Sequence, residues 1–288
     1  MTLVKIVDVT PRDGLQDATG YVPVADKVAL TRDLFQAGIH AIEVASFVHP
    51  RWVPLLADGE AVLSQLQDLP GELIALAPNL KGVERAIAAG ANTVTLVVSA
   101  SESHNKANLN RSRDETLSQL TEATRRAHEA GLKVRGAIST AFECPFEGVV
   151  PINSVAFIAE RYCDMGVDEL GIADTLGTAT PIQVKERVCV VQSIAPKIPL
   201  ALHLHDRLGW GLANVAMAYE HGVRIFESAV GGLGGCPYAP GAAGNLDTEK
   251  LVTFFQAQGL ASHIDISQLP GIRQRLLNVI AQQLAPPN

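Results

Sequence analysis

The sequence contains no Cys-x-x-Cys pair. Its four cysteines, Cys144, Cys163, Cys189 and Cys236, are scattered through the second half of 288 residues. That spacing excludes a zinc knuckle and a disulfide framework, and it fits free thiols in a reducing compartment. No uninterrupted apolar run reaches about 18 residues, so no membrane span is expected. Basic residues are in deficit: 23 Lys and Arg face 30 Asp and Glu, a net charge of −7. That argues against nucleic acid as the main partner, because neutralising phosphates takes clustered Lys and Arg. A polyanionic small molecule is not excluded, since a local basic pocket can sit on an acidic surface. Met1-Thr2-Leu3 runs directly into Val4-Lys5-Ile6-Val7, which leaves no space for a secretory leader. Ala285-Pro286-Pro287-Asn288 is not a peroxisomal address, and the expectation is a cytoplasmic protein. No Pro- or Ser-rich linker and no low-complexity stretch divides the chain, so one domain is expected over residues 1–288.

What the sequence does have is a repeated pattern. A short β-branched run is followed by a longer helical one. Strand-like runs cover Val4 to Thr10, His40 to Ser46, Leu73 to Pro78, Thr93 to Ala100, Lys133 to Phe142, Asp168 to Thr175, Pro199 to Asp206 and Arg224 to Val230. Many helical segments close at a glycine followed by an apolar residue: Gly38-Ile39, Gly90-Ala91, Gly131-Leu132, Gly166-Val167 and Gly222-Val223. Glycine at that position relieves the left-handed turn that ends a helix. Strands that alternate with helices must run parallel, since each crossover carries a helix. Eight such units fit an α/β class (β/α)8 TIM barrel, over about residues 4–260, better than an open doubly wound sheet. A C-terminal helical segment, about 262–288 with a helix from Ile272 to Ala285, is expected to pack outside the barrel.

Chemistry in such a barrel sits where the strands end. The seventh strand ends in Leu202-His203-Leu204-His205-Asp206. Alternation puts Leu200, Leu202 and Leu204 towards the helices and both histidines towards the barrel axis. Same-face residues lie roughly 6.5 to 7 Å apart along a strand, near enough for two imidazoles to share a metal ion. Hydrogen-bonded core histidines are the alternative. The first strand ends in Thr10-Pro11-Arg12-Asp13-Gly14-Leu15-Gln16, where Gly14 implies a tight turn that exposes its neighbours. Strand one closes against strand eight, near strand seven. Asp13 can therefore offer an oxygen to the same ion, with Arg12 the nearest positive group for a carbonyl or carboxylate. An Arg-Asp pair that caps a loop is the alternative.

After the eighth strand, six of the sixteen residues from Val230 to Asn245 are glycine. Such a run makes a backbone-close binding loop or a lid. It carries Cys236, and it is not a Walker A loop. Asn245 either caps the helix from Thr248 to Gln258 or offers a carbonyl oxygen to a metal. Glu43 shares an inward face with two alanines and needs a partner there, either Arg12 or the metal shell. Glu227 has the same placement, and Asp174 ends strand six. Cys163 and Cys189 read as core residues, and His49, His104 and His221 as surface ones.

Taken in order, these motifs resemble the 3-hydroxy-3-methylglutaryl-CoA lyase family of metal-dependent TIM barrels. The resemblance spans nearly the whole chain. It rests on Pro11 to Gln16, Glu43 to Asp58, Ala77 to Ala91, Ser101 to Ser112, Ala173 to Pro181, His203 to Asp206 and, most specifically, Gly232 to Val252. It implies a retro-Claisen lyase that cleaves 3-hydroxy-3-methylglutaryl-CoA to acetyl-CoA and acetoacetate, as in leucine catabolism and ketone-body formation. It implies a divalent cation, Mg or Mn, on Asp13, His203, His205 and Asn245. It makes Arg12 a catalytic residue that also binds substrate, with Gln16 beside it. Cys236 is the implied catalytic residue of the loop, and Glu43, Asp174 and Glu249 are the acidic active-site residues. His203 takes a further part in proton transfer. The implied partner is an acyl-CoA, with no nucleic acid or membrane, and the implied state is a homo-oligomer, dimer or higher.

Two stretches depart from the family pattern. Where the family continues Gln-Asn-Glu-Lys, this chain has Gln16-Asp17-Ala18-Thr19 and so lacks the lysine associated with the acyl-CoA side. After His205-Asp206 it reads Arg207-Leu208-Gly209-Trp210, not Thr-Tyr-Gly or Thr-Arg-Gly. The metal chemistry is untouched, and a different 3-hydroxyacyl-CoA becomes an alternative substrate. A Claisen-condensing synthase of the same superfamily and a non-catalytic acyl-CoA-binding barrel are the remaining readings.

Overall fold

Each of the eight apolar runs becomes a strand in the computed structural model, which describes residues 4–235, 244–261 and 263–282. The strands are β1 (Lys5–Asp8), β2 (Ala41–Ser46), β3 (Glu72–Leu76), β4 (Thr93–Ser99), β5 (Lys133–Ser139), β6 (Glu169–Asp174), β7 (Leu200–Leu204) and β8 (Ile225–Ser228). All pair in parallel and close a barrel in the order β1-β8-β7-β6-β5-β4-β3-β2. The helices between them are α1 (Val24–Gln36), α2 (Gly59–Ser64), α3 (Leu80–Ala89), α4 (Glu102–Leu109), α5 (Arg113–Glu129), α6 (Ile152–Met165), α7 (Pro181–Ile194) and α8 (Gly211–Glu220). Two more follow β8: α9 (Thr248–Gln256) and the outer C-terminal helix α10 (Leu269–Gln282). A two-stranded hairpin, Glu143–Cys144 against Gly148–Val149, was not expected from the pattern. Among the described residues no helix is long and apolar enough to cross a membrane.

Local chemistry sets the helix ends. Ser112 with Glu115, and Thr180 with Gln183, form reciprocal capping boxes at the starts of α5 and α7. Each satisfies two backbone groups that helix geometry leaves unpaired. Helix α7 buries Val184, Arg187, Val188 and Val191. Cys189 lies one residue, roughly 100° of helical rotation, beyond Val188. It is therefore exposed, which corrects its core reading, whereas the half-buried Cys163 packs against the core.

Two cores result. The larger lies between strands and helices. There the Tyr162 ring of α6 packs on β5 so closely that a Cβ at Gly136 would sit 2.8 Å from it. The Tyr162 hydroxyl donates to the Leu96 carbonyl at 2.7 Å. A separate apolar cluster of Val7, Val9, Ala41, Ile74, Ala201, Ile225 and Ala229 fills part of the barrel interior.

The end of β1 is tied to its surroundings by a buried carboxylate. Asp8 accepts from the Thr10 backbone N–H and the Thr248 hydroxyl, both at 2.9 Å. Burial raises its pKa from 3.8 to about 6, against the lowering effect of those bonds. The folded protein therefore holds this proton more tightly than the unfolded chain. The group's contribution to stability is largest below about pH 4 and falls by roughly 3 kcal/mol as pH rises to about 6. Asparagine keeps an acceptor for Thr10 and offers an N–H to Thr248. Urea unfolding of Asp8→Asn should thus show a stability gain over the wild type that grows from pH 4 to 6. Parallel pH profiles for the two proteins would contradict this assignment.

Candidate active site and metal centre

The barrel mouth opens into a cavity of about 230 Å³ whose walls include Arg12, Asp13, Gln16, Glu43, His203, His205 and Glu227. Three backbone devices bring the polar groups here. Residues Thr10–Gly14 form a π-helical turn after β1, in which the N–H groups of Arg12, Asp13 and Gly14 all point at the Val9 carbonyl. Such turns are rare and recur at functional sites. The turn buries Asp13 and Gly14 and does not expose them as the glycine had implied. The second device is the alternation of β7, which puts His203 and His205 on the cavity side.

The third device is the return of the chain after the glycine-rich segment. Leu246 N–H donates to Leu204, and Ala229 N–H to Leu246, so residues 244–247 lie between the tips of β7 and β8. Asn245 is thereby set against His205. The α9 cap is Asp247, which accepts from Glu249 N–H, and Asn245 is left facing the site. Gly234, at φ +100°, passes so close that a Cβ there would lie 2.5 Å from Asn245 Nδ2 and 2.8 Å from the Asp13 carbonyl. Only glycine meets both conditions.

The geometry is convergent. His203 Nε2 and His205 Nε2 are 3.1 Å apart, and Asp13 Oδ2 is 3.8 Å from His205 Nε2. One ligand atom from each of the three residues lies within 4.8 Å of the others. Asn245 Nδ2 donates to Asp13 Oδ2 at 2.7 Å and to the Leu233 carbonyl at 2.8 Å. Its Oδ1 is buried with no hydrogen-bond partner among the described residues. Arg12 is clamped between Glu43 and Asp13 Oδ1. Gln16 Nε2 donates to Asp13 Oδ1 at 3.0 Å and to the Gly235 carbonyl at 3.1 Å. On the far side, Glu227 bridges His203 Nδ1 and Arg135. Arg135 reaches Glu169, and Lys5 joins Glu169 to Glu72.

This is one connected network. Burial pushes the Asp13 carboxyl up, but Arg12, His203 and His205 hold it below the usual range. Burial likewise pushes His203 down, and Glu227 with Asp13 lifts it above its ordinary value. Arg12 stays charged, because Glu43 and Asp13 outweigh its burial. With both histidines neutral, the cations Lys5, Arg12 and Arg135 face the carboxylates of Asp13, Glu43, Glu72, Glu169 and Glu227. The network then carries two more negative charges than positive ones. A divalent cation fits this surplus, two imidazole nitrogens, a carboxylate and an unpartnered amide oxygen.

Other expected residues are placed differently. The Asp174 carboxylate accepts from the Thr178 and Ala179 backbone N–H groups. It braces the turn after β6 and is not among the cavity walls. Burial lifts its pKa to about 6. Glu249 pairs with Arg273 of α10 at 3.2 Å. Cys236 lies outside the described residues. His104, read as a surface residue, is buried and lines the cavity. Its Nδ1 is 2.6 Å from Ser99 Oγ, which is 2.8 Å from Ser139 Oγ. Burial pushes its pKa down to about 4, so it is neutral at physiological pH. The signal for it was Ser101, an N-cap that bonds His104 N–H and turns this first-turn residue inward.

The chain is similar to known proteins along nearly its whole length. The sequence profile of the HMGL-like family matches residues 3–276. The chain is 42% identical over 267 residues to the mitochondrial hydroxymethylglutaryl-CoA lyase of Bos taurus, covering 92% of this chain and 82% of that protein. A solved HMG-CoA lyase from Acinetobacter baumannii, in complex with coenzyme A and 3-methylmalate, superposes with TM-score 0.92 at 40% identity. The match covers 98% of this chain and 93% of that one. The HMG-CoA lyase from Brucella melitensis gives TM-score 0.93 at 38% identity, covering 99% and 100%.

A cation and a proton compete for His203 Nε2, and Glu227 with Asp13 raises the histidine's affinity for the proton. Calorimetric titration with MnCl₂ should therefore give enthalpies that vary with the buffer's ionisation enthalpy, and affinity should fall as pH falls. His205→Ala should weaken binding by more than roughly 100-fold, with thermal unfolding of the barrel retained. Wild-type affinity in His205→Ala would rule out the shared site.

Proposed function

The chain belongs to the HMGL-like family, and from that premise we propose that it is a divalent-metal-dependent lyase that cleaves 3-hydroxy-3-methylglutaryl-CoA to acetyl-CoA and acetoacetate. One observation carries the reading: His203, His205, Asp13 and the unpartnered Asn245 oxygen converge beside an arginine held in place by two carboxylates. A divalent cation bound there supplies Lewis acidity that makes the tertiary hydroxyl of the substrate easier to deprotonate. Two imidazole nitrogens with carboxylate and amide oxygens could hold Zn, Mn or Mg, and the likeness to the family favours Mg or Mn.

The chain's own residues hold the reacting groups, stabilise the enolate and protonate it. Arg12 offers a fixed positive charge to the thioester oxygen as the carbon–carbon bond breaks and an enolate forms. Glu43 keeps the guanidinium from turning away. Gln16 steadies Asp13 and holds the Gly235 backbone at the substrate's edge. Val48, Val53, Leu76, Val97, Leu109 and Ile172 make the cavity wall largely apolar, which keeps water from the enolate. Cys236 directly follows Gly235, a wall residue, and is the group we assign to protonating the enolate. His203 Nδ1 is engaged by Glu227, so His203 serves the cation through Nε2. The three described cysteines are unbridged, which suits a reducing compartment such as the cytoplasm. Leucine breakdown and ketone-body formation are the settings that produce and use these compounds.

The test is to incubate the protein with 3-hydroxy-3-methylglutaryl-CoA and MgCl₂ or MnCl₂ and to measure both products. Equal yields of acetoacetate and acetyl-CoA, abolished by EDTA, are expected. Turnover of another 3-hydroxyacyl-CoA in preference would assign the acyl pocket to that group, as the Asp17-Ala18-Thr19 departure allows. No cleavage of any such ester would overturn the lyase reading. Arg12→Gln should lower kcat by about 100- to 1,000-fold with little change in KM. Arg12→Lys keeps a charge opposite Glu43 and should recover only part of the rate, because it lacks the planar fork. A raised KM as the sole defect would make Arg12 a substrate anchor.

A further inference from the structure

Behind the donor cluster lies a set of contacts that the cleavage steps do not use. His203 Nδ1 is 2.8 Å from Glu227 Oε2. The other Glu227 oxygen accepts from Arg135 Nη2, and Arg135 Nε donates to Glu169. The barrel register explains these contacts. His203 and Glu227 are lateral neighbours on β7 and β8, and Arg135 and Glu169 are lateral neighbours on β5 and β6. Arg135 therefore reaches across the interior from β5 to a carboxylate on β8. It is 4% exposed, and the Glu227 side chain is 12% exposed.

We propose that Glu227 and Arg135 are positioning residues for the metal centre, which fix His203 as the tautomer with its proton on Nδ1 and aim Nε2 at His205 Nε2 and Asp13. The proposal rests on the metal reading of the cluster. A neutral imidazole has one N–H, and if Nε2 carries it that nitrogen cannot bind a cation. Glu227 is an acceptor on both oxygens. One takes the Nδ1 proton, while the other is held by Arg135, which stops the carboxylate from rotating away. Glu169 fixes Arg135 in turn. An amide at position 227 cannot serve both neighbours. If its oxygen faces Arg135, its NH₂ faces His203 Nδ1, which must then accept, and the proton moves to Nε2. If its oxygen faces His203, its NH₂ meets the guanidinium. Glu227→Gln keeps the shape and changes only this logic. Partners behind a metal-bound histidine generally matter by about 10- to 100-fold in metal affinity.

The experiment compares wild type, Glu227→Gln, Arg135→Lys and His205→Ala. Each is titrated with MnCl₂ by calorimetry, and the metal-free proteins are examined by ¹⁵N NMR of the imidazoles. Glu227→Gln should lose about 10- to 100-fold in Mn²⁺ affinity, and its His203 signals should move to the Nε2–H pattern. Arg135→Lys should keep the Nδ1–H pattern and lose less affinity, since a point charge holds one oxygen without the fork. If Glu227→Gln does not fold, Arg135→Lys carries the test through its affinity and NMR pattern. Wild-type affinity in Glu227→Gln, with His205→Ala unable to bind, would overturn the positioning role and leave the metal centre standing. A loss of affinity with the Nδ1–H tautomer intact would also overturn it. Undiminished binding in His205→Ala would remove the metal reading and this proposal together.

Discussion

A single run of charged side chains threads the barrel from Lys5 and Glu72 at its base, through Glu169, Arg135 and Glu227, to His203, His205, Asp13, Arg12 and Glu43 at its mouth. Burying charges costs free energy, and the mutual attraction of buried pairs often only offsets that cost. Hydrophobic packing outside the strands supplies the barrel's stability. The charged run does something packing cannot do. Each member is gripped by its neighbours, so the donor atoms at the mouth are held without a ligand present. Counted with both histidines neutral, the run as a whole carries a surplus of negative charge. A site that attracts a divalent cation is thus built into the charge balance of the interior as well as into the ligand set.

The backbone serves that arrangement. The π-helical turn after β1 gathers three N–H groups on Val9 and swings Arg12 and Asp13 over the mouth. Strand alternation places the histidines, and the returning segment from Gly244 brings in Asn245. None of these devices is a long element. Each is a local irregularity at a strand end, the part of a barrel where irregular backbone does not disturb the closed hydrogen-bond ladder.

Much of this was legible in the sequence, and the reasons are specific. The eight strands announced themselves because each buries an apolar face against the helices, and because glycine closes so many helices. His203 and His205 were visible because a period of two is unambiguous when leucines fill the other face. Glu43 was recognisable as an inward carboxylate in need of a cation. The partner of Glu227 was not, since Arg135 lies on a strand three positions around the barrel and no local pattern links them. Gly14 suggested an exposed turn, but a π-helical turn has no simple sequence signature. His104 was missed because a single histidine on a polar helix looks solvated until its cap is placed. Cys189 was assigned to the core because α7 carries apolar residues on more than one face.

The central claim is that both Nε2 atoms bind the same ion. Electron spin echo envelope modulation of the Mn²⁺-loaded protein measures nitrogen bound directly to manganese. The account predicts ¹⁴N couplings from two coordinated imidazoles. A spectrum with no directly bound nitrogen, as for an ion held by carboxylates and water alone, would contradict it.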